Sequence, residues 1–432
     1  MENCFFAEKM LDFEKKRYFC KKIWPTLNEG PTKEKQRHVI LDALRGLALM
    51  GIALANFPEF GLWTFLSSVE QESMSTAGID HVVRFLQYLL VDGKFYTIFS
   101  ILFGIGFSLI LAHHGRRLFI RRMLILVAIG FLHLMFIWSG DILLLYAVGG
   151  LVLTLFVGLS DKSLLILALS LILIPVGLDA MTEFMNIDFA APFYEAWWSH
   201  AEAEGINEDN FASWLRDADS YRQMFAFLIQ GAYERIWEFV EGHRLPKVVG
   251  LFTIGYLIGK NQLYTRLAEL DLKKKLLWAA IVGIPTSILY AWSATNGHPW
   301  GRTMHSFLYA VSVIPLAAVY IIGICMLYTR YSEAKVFRML AAPGRMALSN
   351  YISQSLIGVM MFYGLGFGLG TSFGLVHIEL TAIGVFVLQM LLSQIWLNNF
   401  RFGPLEWIWR MLTYGRHFTI RKSFKINCND LL

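Results

Sequence analysis

The sequence predicts an all-α, polytopic membrane protein of about ten transmembrane helices, with both termini on the cytoplasmic side. Three observations carry that prediction. Of 432 residues, 56% are hydrophobic and only 16% charged, with a mean hydropathy of +0.50, whereas soluble domains run near 25% charged. Ten stretches approach the ~20 apolar residues needed to cross ~30 Å of hydrocarbon. Finally, 29 of the 38 Lys and Arg residues fall in the tails and in alternate connections between those stretches, the asymmetry that sets orientation.

In order along the chain, residues 1–37 form a basic tail with nine Lys/Arg. It has no apolar core of useful length, so the first span is expected to act as the anchor. Met10, Leu11, Phe13, Phe19, Ile23 and Trp24 interleave there with Lys15, Lys16, Arg17, Lys21 and Lys22. That pattern suits a basic amphipathic helix on an anionic leaflet, or equally a partly ordered tail. The ten spans are read at 38–57, 94–113, 120–138, 141–159, 162–179, 246–260, 275–293, 305–328, 346–364 and 377–398. The domain reading is therefore a first five-helix bundle (38–179), an extracytoplasmic helical cap (180–245), a second five-helix bundle (246–416) and a cytoplasmic tail (417–432).

The sixth span is short, and the amphipathic 222–243 stretch before it is expected to lie along the interface or to extend it. The cap is acidic, with nine Asp/Glu from Glu183 to Asp219, and aromatic through Tyr194, Trp197, Trp198, Trp214 and Tyr221. The glycine-rich 364–374 stretch is read as a flexible turn. It is no phosphate loop, since no Lys-Ser/Thr follows and no strand precedes it. Cys4, Cys20, Cys325 and Cys428 show no CxxC spacing, so neither a disulfide framework nor a zinc site is expected. His298 and His305 lack the i, i+4 spacing of a helical zinc site and are assigned to the interface, so no metal is expected. Nothing points to nucleic acid; the lipid bilayer is the expected surrounding, and self-assembly stays open.

Function is sought in the polar residues that sit inside apolar stretches, because such groups are costly there and mark partners, cavities or sites. Placed by depth at 1.5 Å per residue, Asp42, Arg45, Asn350 and Gln354 form an inner layer. Asn56, Lys94, His133 and Asp141 form an outer one, with Asn56 about three turns beyond Arg45 on a similar face. His133 ends the third span, and the tight Ser139-Gly140 turn brings Asp141 close to it. Histidine ionises near neutral pH and a carboxylate can orient it, so the pair is the acid/base candidate. The alternatives are structural: His133 bonded to a backbone carbonyl, Asp42–Arg45 as an ion pair, Lys94 snorkelling, and Asn350 and Gln354 as interhelical hydrogen-bond glue.

Five ordered blocks resemble the YeiB-like bacterial membrane proteins. They are Leu41-Asp42-Ala43-Leu44-Arg45-Gly46 with Gly51-Ile52 and Asn56, and Gly93-Lys94-Phe95-Tyr96 through Gly106. Next come Gly130-Phe131-Leu132-His133 with Trp138-Ser139-Gly140-Asp141-Ile142-Leu143 and Tyr146-Ala147, and Pro343-Gly344-Arg345 through Asn350-Tyr351 with Gln354-Ser355. Last is Gly403-Pro404-Leu405-Glu406-Trp407-Ile408-Trp409-Arg410 with Thr413-Tyr414-Gly415. The resemblance spans about 38–416 and implies a distant relationship to membrane acyltransferases, including heparan-glucosaminide acetyltransferase. Those enzymes use a cytoplasmic acyl thioester to acylate a sugar on the far side. In the sugar O-acyltransferase branch, an Arg in the first span is followed three turns on by a His; here Asn56 stands in that place, which moves the catalytic role to His133.

The reading that follows is a transmembrane acyltransferase of the bacterial cytoplasmic membrane. It takes acetyl-CoA or another acyl-CoA as donor, with Arg116, Arg117, Arg121 and Arg122 as phosphate partners, and a carbohydrate or other small molecule as acceptor. Asp42, Arg45, Asn350 and Gln354 bind the donor or substrate. His133, oriented by Asp141, acts as base, and Asn56 or Lys94 stabilises the oxyanion. Two readings stay open beside it: a transporter or flippase of a small or lipid-linked substrate, and a structural membrane subunit.

Overall fold

The computed structural model describes residues 38–422, so the tail expected to hold an amphipathic helix lies outside the described residues. Helix α1 is Val39–Phe60, α2 Ser68–Ser73 and α3 Ala77–Leu86, which runs on through a π turn at Gln87–Val91. Helix α4 is Lys94–Phe136, α5 Leu143–Leu153, α6 Asp161–Met185, α7 Ala191–Ala203, α8 Phe211–Arg216 and α9 Tyr221–Glu241. Helix α10 is Arg244–Lys260, α11 Leu272–Thr295, α12 Arg302–Arg330, α13 Lys335–Arg345, α14 Ala347–Phe362, α15 Leu375–Asn399 and α16 Pro404–Tyr414. Among the described residues the only β pairing is an isolated bridge between Phe400 and Arg421.

Each of the ten apolar stretches is helical, and among the described residues six continuous helical segments are long and apolar enough to cross a membrane. One of the six, 77–136, contains two of the stretches. Gly115 breaks α4 with φ 74° and ψ 175°, a conformation that carries little steric cost only without a Cβ. The chain doubles back there: the rings of Phe107 and Phe119 lie 4.5 Å apart, where a straight helix would separate them by ~18 Å.

The outward faces of the long helices are apolar. Leu165, Ile166, Leu169 and Leu173 of α6, Leu277, Trp278, Ile281 and Ile284 of α11, and Leu380, Ile383, Val387 and Leu391 of α15 are all exposed. Such surface would be an aggregation liability in water, and helices are one of the two architectures that satisfy their own backbone in lipid. The protein is an integral membrane protein.

Inside, helices from the two halves of the chain interleave: α1 packs on α4, α13, α14 and α15, and α10 packs on α4 and α6. The α1–α13 crossing is close enough that a Cβ on Gly344 would stand 1.9 Å from the Asp42 carbonyl oxygen. Small residues at such crossings let backbones approach where no hydrophobic force drives association.

Helices α7–α9 form a layer whose core is continuous with the membrane helices. Trp197, Phe211, Leu215, Met224 and Phe227 pack in one buried cluster with Phe57, Phe60, Trp138 and Phe362. Of the 222–243 stretch, residues 222–241 belong to α9 in this layer, and His243 in the left-handed region separates it from α10. The 364–374 stretch, expected as a flexible turn, is instead pinned. Gly364 N donates to the Leu215 carbonyl at 2.9 Å, Gly370 N to Phe362 at 2.8 Å and Thr371 N to Gly61 at 3.0 Å.

Candidate functional site

The site begins at the turn between α4 and α5. His133 lies in the last turn of α4, and Ser139-Gly140 brings the chain back so that Asp141 precedes α5. One Asp141 oxygen, Oδ1, accepts from Leu144 N at 2.8 Å and so caps α5, in the way short acidic side chains satisfy orphan N–H groups. The other, Oδ2, stands 2.8 Å from His133 Nδ1. The second ring nitrogen, Nε2, is 3.0 Å from Ser355 Oγ on α14. All three residues are 1% exposed. Asp141 is held at two points and the imidazole at two, so ring orientation is fixed from both sides.

On one side of this group lies a cavity of about 320 Å³. Leu49, Ile52, Phe99, Phe103 and Tyr146 give it an apolar wall, and Ile142 and Tyr351 line it next to His133. Among further apolar residues, its lining includes the basic side chains of His38, Arg45, His113, His114, Arg122, Arg345 and Arg410. Two carboxylates oppose them. Asp42 accepts from Arg45 at 2.7 Å. Glu406 caps α14, accepting from Leu348 N at 2.7 Å and Ser349 N at 3.1 Å; burial raises its pKa, and the hydrogen bonds it accepts offset part of that. Arg122 stacks on Trp409, 3.6 Å from the ring centroid, a geometry suited to guanidinium.

On the other side, under the cap, is a polar cavity of about 160 Å³ lined by Glu59, Glu234, Arg235 and Glu238 with Trp138, Phe65, Phe227 and Tyr363. Arg235 Nε donates to the Ser139 carbonyl at 2.9 Å, pairs with Glu238 and lies 3.7 Å from Glu59. Three acidic side chains and one guanidinium line this cavity, and Arg244 lies 3.7 Å from Glu238. Burial, reinforced by Glu238 and Glu59, holds the Glu234 carboxyl well above the usual carboxylate range, with Arg235 opposing. In the cap, the Trp197 and Trp237 indoles stack with centroids 5.0 Å apart.

One aromatic side chain beside His133 lines each cavity. Tyr351 lines the basic cavity with its ring 5.3 Å from the His133 ring, and Trp138 lines the acidic one at 6.3 Å. Helix α1 links the two. Arg45, Leu49 and Ile52 line the first cavity and Glu59 the second, a spacing of three and four that keeps one helical face. Asn56 continues that stripe between Ile52 and Glu59, is half-buried, and makes no side-chain hydrogen bond among the described residues.

The structure thus joins His133 with Asp141, and Asp42 with Arg45 at the basic cavity. It separates the others. Lys94 is fully buried, but its ammonium donates to the Tyr88 carbonyl at 2.6 Å and lies 4.8 Å from the Tyr290 ring centroid, so it belongs to the α4–α11 contact. Asn350 Nδ2 donates to Ser393 Oγ at 3.0 Å and Gln354 Nε2 to Gln389 Oε1 at 2.9 Å; both amides tie α14 to α15. Of the four arginines expected to meet phosphate, only Arg122 lines the cavity. Arg116, Arg117 and Arg121 are exposed outside it.

Residues not assigned a role from sequence are Ser355, Tyr351, Trp138, Arg345, Arg410 and Glu406. Ser355 follows Gln354 in one of the resembling blocks, but nothing in that block gives it a role. The basic residues of α16 read as tail charge until α16 is seen folded against the α4 turn. His305 Nδ1 bonds Ser293 Oγ at 3.0 Å, and no group of three or more His, Cys, Asp or Glu able to hold a metal occurs among the described residues.

Comparison with known proteins places this arrangement. A family model described as a protein of unknown function (DUF418) matches residues 258–416. The protein YeiB of Escherichia coli (strain K12), named as uncharacterised, is 30% identical over 412 residues, covering 88% of this chain and 96% of that protein. The chain belongs to the YeiB-like DUF418 family. YxaH of Bacillus subtilis (strain 168), also named as uncharacterised, is 28% identical over 420 residues, 92% of this chain and 99% of that one. A 39.9 kDa protein from the amylase 3′ region of Bacillus acidopullulyticus is 27% identical over 404 residues, 90% of this chain. The similarity to all three extends well beyond the matched C-terminal part.

Proposed function

We propose that this DUF418 protein is an acyltransferase of the bacterial cytoplasmic membrane, with both termini cytoplasmic. It moves an acyl group from an acyl-CoA thioester such as acetyl-CoA to a sugar or related acceptor on the far side. The observation that carries the proposal is the placing of the His133–Asp141 pair between a basic-mouthed apolar cavity and an acidic, aromatic one.

The basic cavity has the chemistry a thioester donor needs. Arg122, Arg345 and Arg410 offer guanidinium groups to a phosphorylated nucleotide, and the apolar wall from Leu49 to Tyr146 receives a thin uncharged arm and its acyl group. The capped cavity suits a carbohydrate, with carboxylates to accept hydroxyl protons and Trp138 and Tyr363 as flat apolar faces. His133 Nε2 is the general base, and Asp141 is the positioning residue that keeps the proton on Nδ1. Asn56 is assigned the donation to a developing oxyanion.

Two cavities, each lined by an aromatic residue beside His133, would also serve a transporter, so the test separates the two. In detergent, acetyl-CoA should raise the melting temperature of the purified protein saturably, and addition of a hexose or hexosamine panel should then release coenzyme A thiol. Absence of any shift at millimolar acetyl-CoA, with sugar passing into proteoliposomes in the absence of donor, would replace the acyltransferase reading with the transporter.

A further inference from the structure

We propose that Ser355 is a nucleophile that carries the acyl group as an ester between the two cavities, an inference that rests on the acyl-transfer reading above. The decisive point is what occupies the working nitrogen of His133. Asp141 Oδ2 engages Nδ1 at 2.8 Å, so only Nε2 is left to take a proton. Nε2 already faces Ser355 Oγ at 3.0 Å. An acceptor hydroxyl would have to displace Ser355 to reach the base, whereas the serine hydroxyl is in place. Ser355 Oγ also approaches the Tyr351 carbonyl of its own helix, but at 3.5 Å, a poorer hydrogen bond than the one to the imidazole. Nucleophile, base and orienting carboxylate in hydrogen-bond sequence are recognised by geometry and role on unrelated folds.

The position of the serine adds a second reason. Tyr351, which lines one cavity, and Trp138, which lines the other, both lie beside the His133 ring. A donor in one cavity and an acceptor in the other need never meet if the acyl group pauses on a residue between them. In the first half-reaction, Ser355 Oγ bonds to the thioester carbonyl carbon while its proton passes to His133 Nε2. The C–S bond breaks, and the proton leaves with the thiolate as free thiol. In the second, the acceptor oxygen or nitrogen attacks the Ser355 ester and gives its proton to Nε2. The C–Oγ bond breaks and the proton returns to Oγ. Nothing is oxidised or reduced.

The test uses the full chain in detergent with acetyl-CoA as donor, an acid quench, and peptide mass mapping. A fluorophosphonate serves as an independent serine-directed probe. The expected result is one acetyl group per chain on the Ser355 peptide, with a matching burst of thiol. The adduct should be absent from Ser355→Ala and present as a hydroxylamine-labile thioester in Ser355→Cys, which preserves the size of the side chain should the alanine variant fold poorly. Sugar acetylation by Ser355→Ala within about threefold of wild type would overturn the covalent step and leave the acyltransferase reading standing. Fluorophosphonate labelling of Ser355 without any reaction with acetyl-CoA would support the nucleophile and overturn that donor. No adduct from either reagent on well-folded protein would overturn the proposal.

Discussion

Replacing Asp141 by Asn changes almost no volume and removes one charge. Oδ1 of the aspartate is committed to Leu144 N at 2.8 Å, and an asparagine carbonyl can keep that cap. Its amide nitrogen then faces His133 Nδ1, where the carboxylate oxygen stood at 2.8 Å. An N–H in that position forces Nδ1 to accept, which moves the imidazole proton to Nε2 and turns the working nitrogen into a donor. Stability should fall by only ~1–2 kcal/mol, the range for one weakened hydrogen bond. The rate of acetyl transfer from acetyl-CoA should fall by about 10²–10⁴-fold, the range for losing a positioned general base. The assay pairs thiol release with a melting curve, and imidazole nitrogen shifts by NMR report the tautomer. Wild-type turnover in a variant whose proton has moved to Nε2 would refute the role given to the pair.

Other expectations concern the donor cavity, the cap and the packing. Arg410→Ala should weaken acetyl-CoA binding in thermal titrations by roughly tenfold, the equivalent of one lost charge-assisted hydrogen bond, while Arg116→Ala, exposed outside the cavity, should leave it unchanged. Gly344→Ala should destabilise by at least ~1–3 kcal/mol, because its Cβ would sit 1.9 Å from the Asp42 carbonyl. Gly323→Ala, whose Cβ meets nothing within 4 Å, should be neutral or slightly stabilising in the same melting assay. Glu234 has its pKa raised from 4.5 by burial and by Glu238 and Glu59, so the folded state holds a proton the unfolded state would lose. Its ionised form costs stability at neutral pH, and that cost fades as pH falls through the raised pKa towards 4.5. Glu234→Gln should therefore melt above wild type at pH 8 and converge with it near pH 5; a pH-independent difference would show that the carboxyl is not perturbed.

The helices were legible because bilayer length and apolarity are written residue by residue, and the Gly115 break falls within the polar Ala112–Arg117 connection between two apolar runs. The His133–Asp141 pair was legible for a local reason, since the two residues are eight apart across the short 137–142 connection that holds Ser139-Gly140. Depth along a helix, however, carries no azimuth. Lys94 shares a depth with the pair but faces α11 through Tyr290, and Gln354 turns to Gln389 while its neighbour Ser355 turns to His133. One residue of helix is ~100° of rotation, and only packing decides which of the two reaches the site. The basic cavity was hidden for a related reason: Arg122, Arg345 and Arg410 come from three separated stretches, and only the packing of α13 on α1 and of α16 on α4 brings them together.

The most direct test of the two-cavity account is sided transfer in proteoliposomes, with labelled acetyl-CoA on one face and a hexose or hexosamine panel on the other. The account predicts acetylated sugar when donor and acceptor occupy opposite faces, and none with His133→Ala of unchanged melting temperature. Product formed only with both on the same face, or formed equally well by His133→Ala, would contradict it.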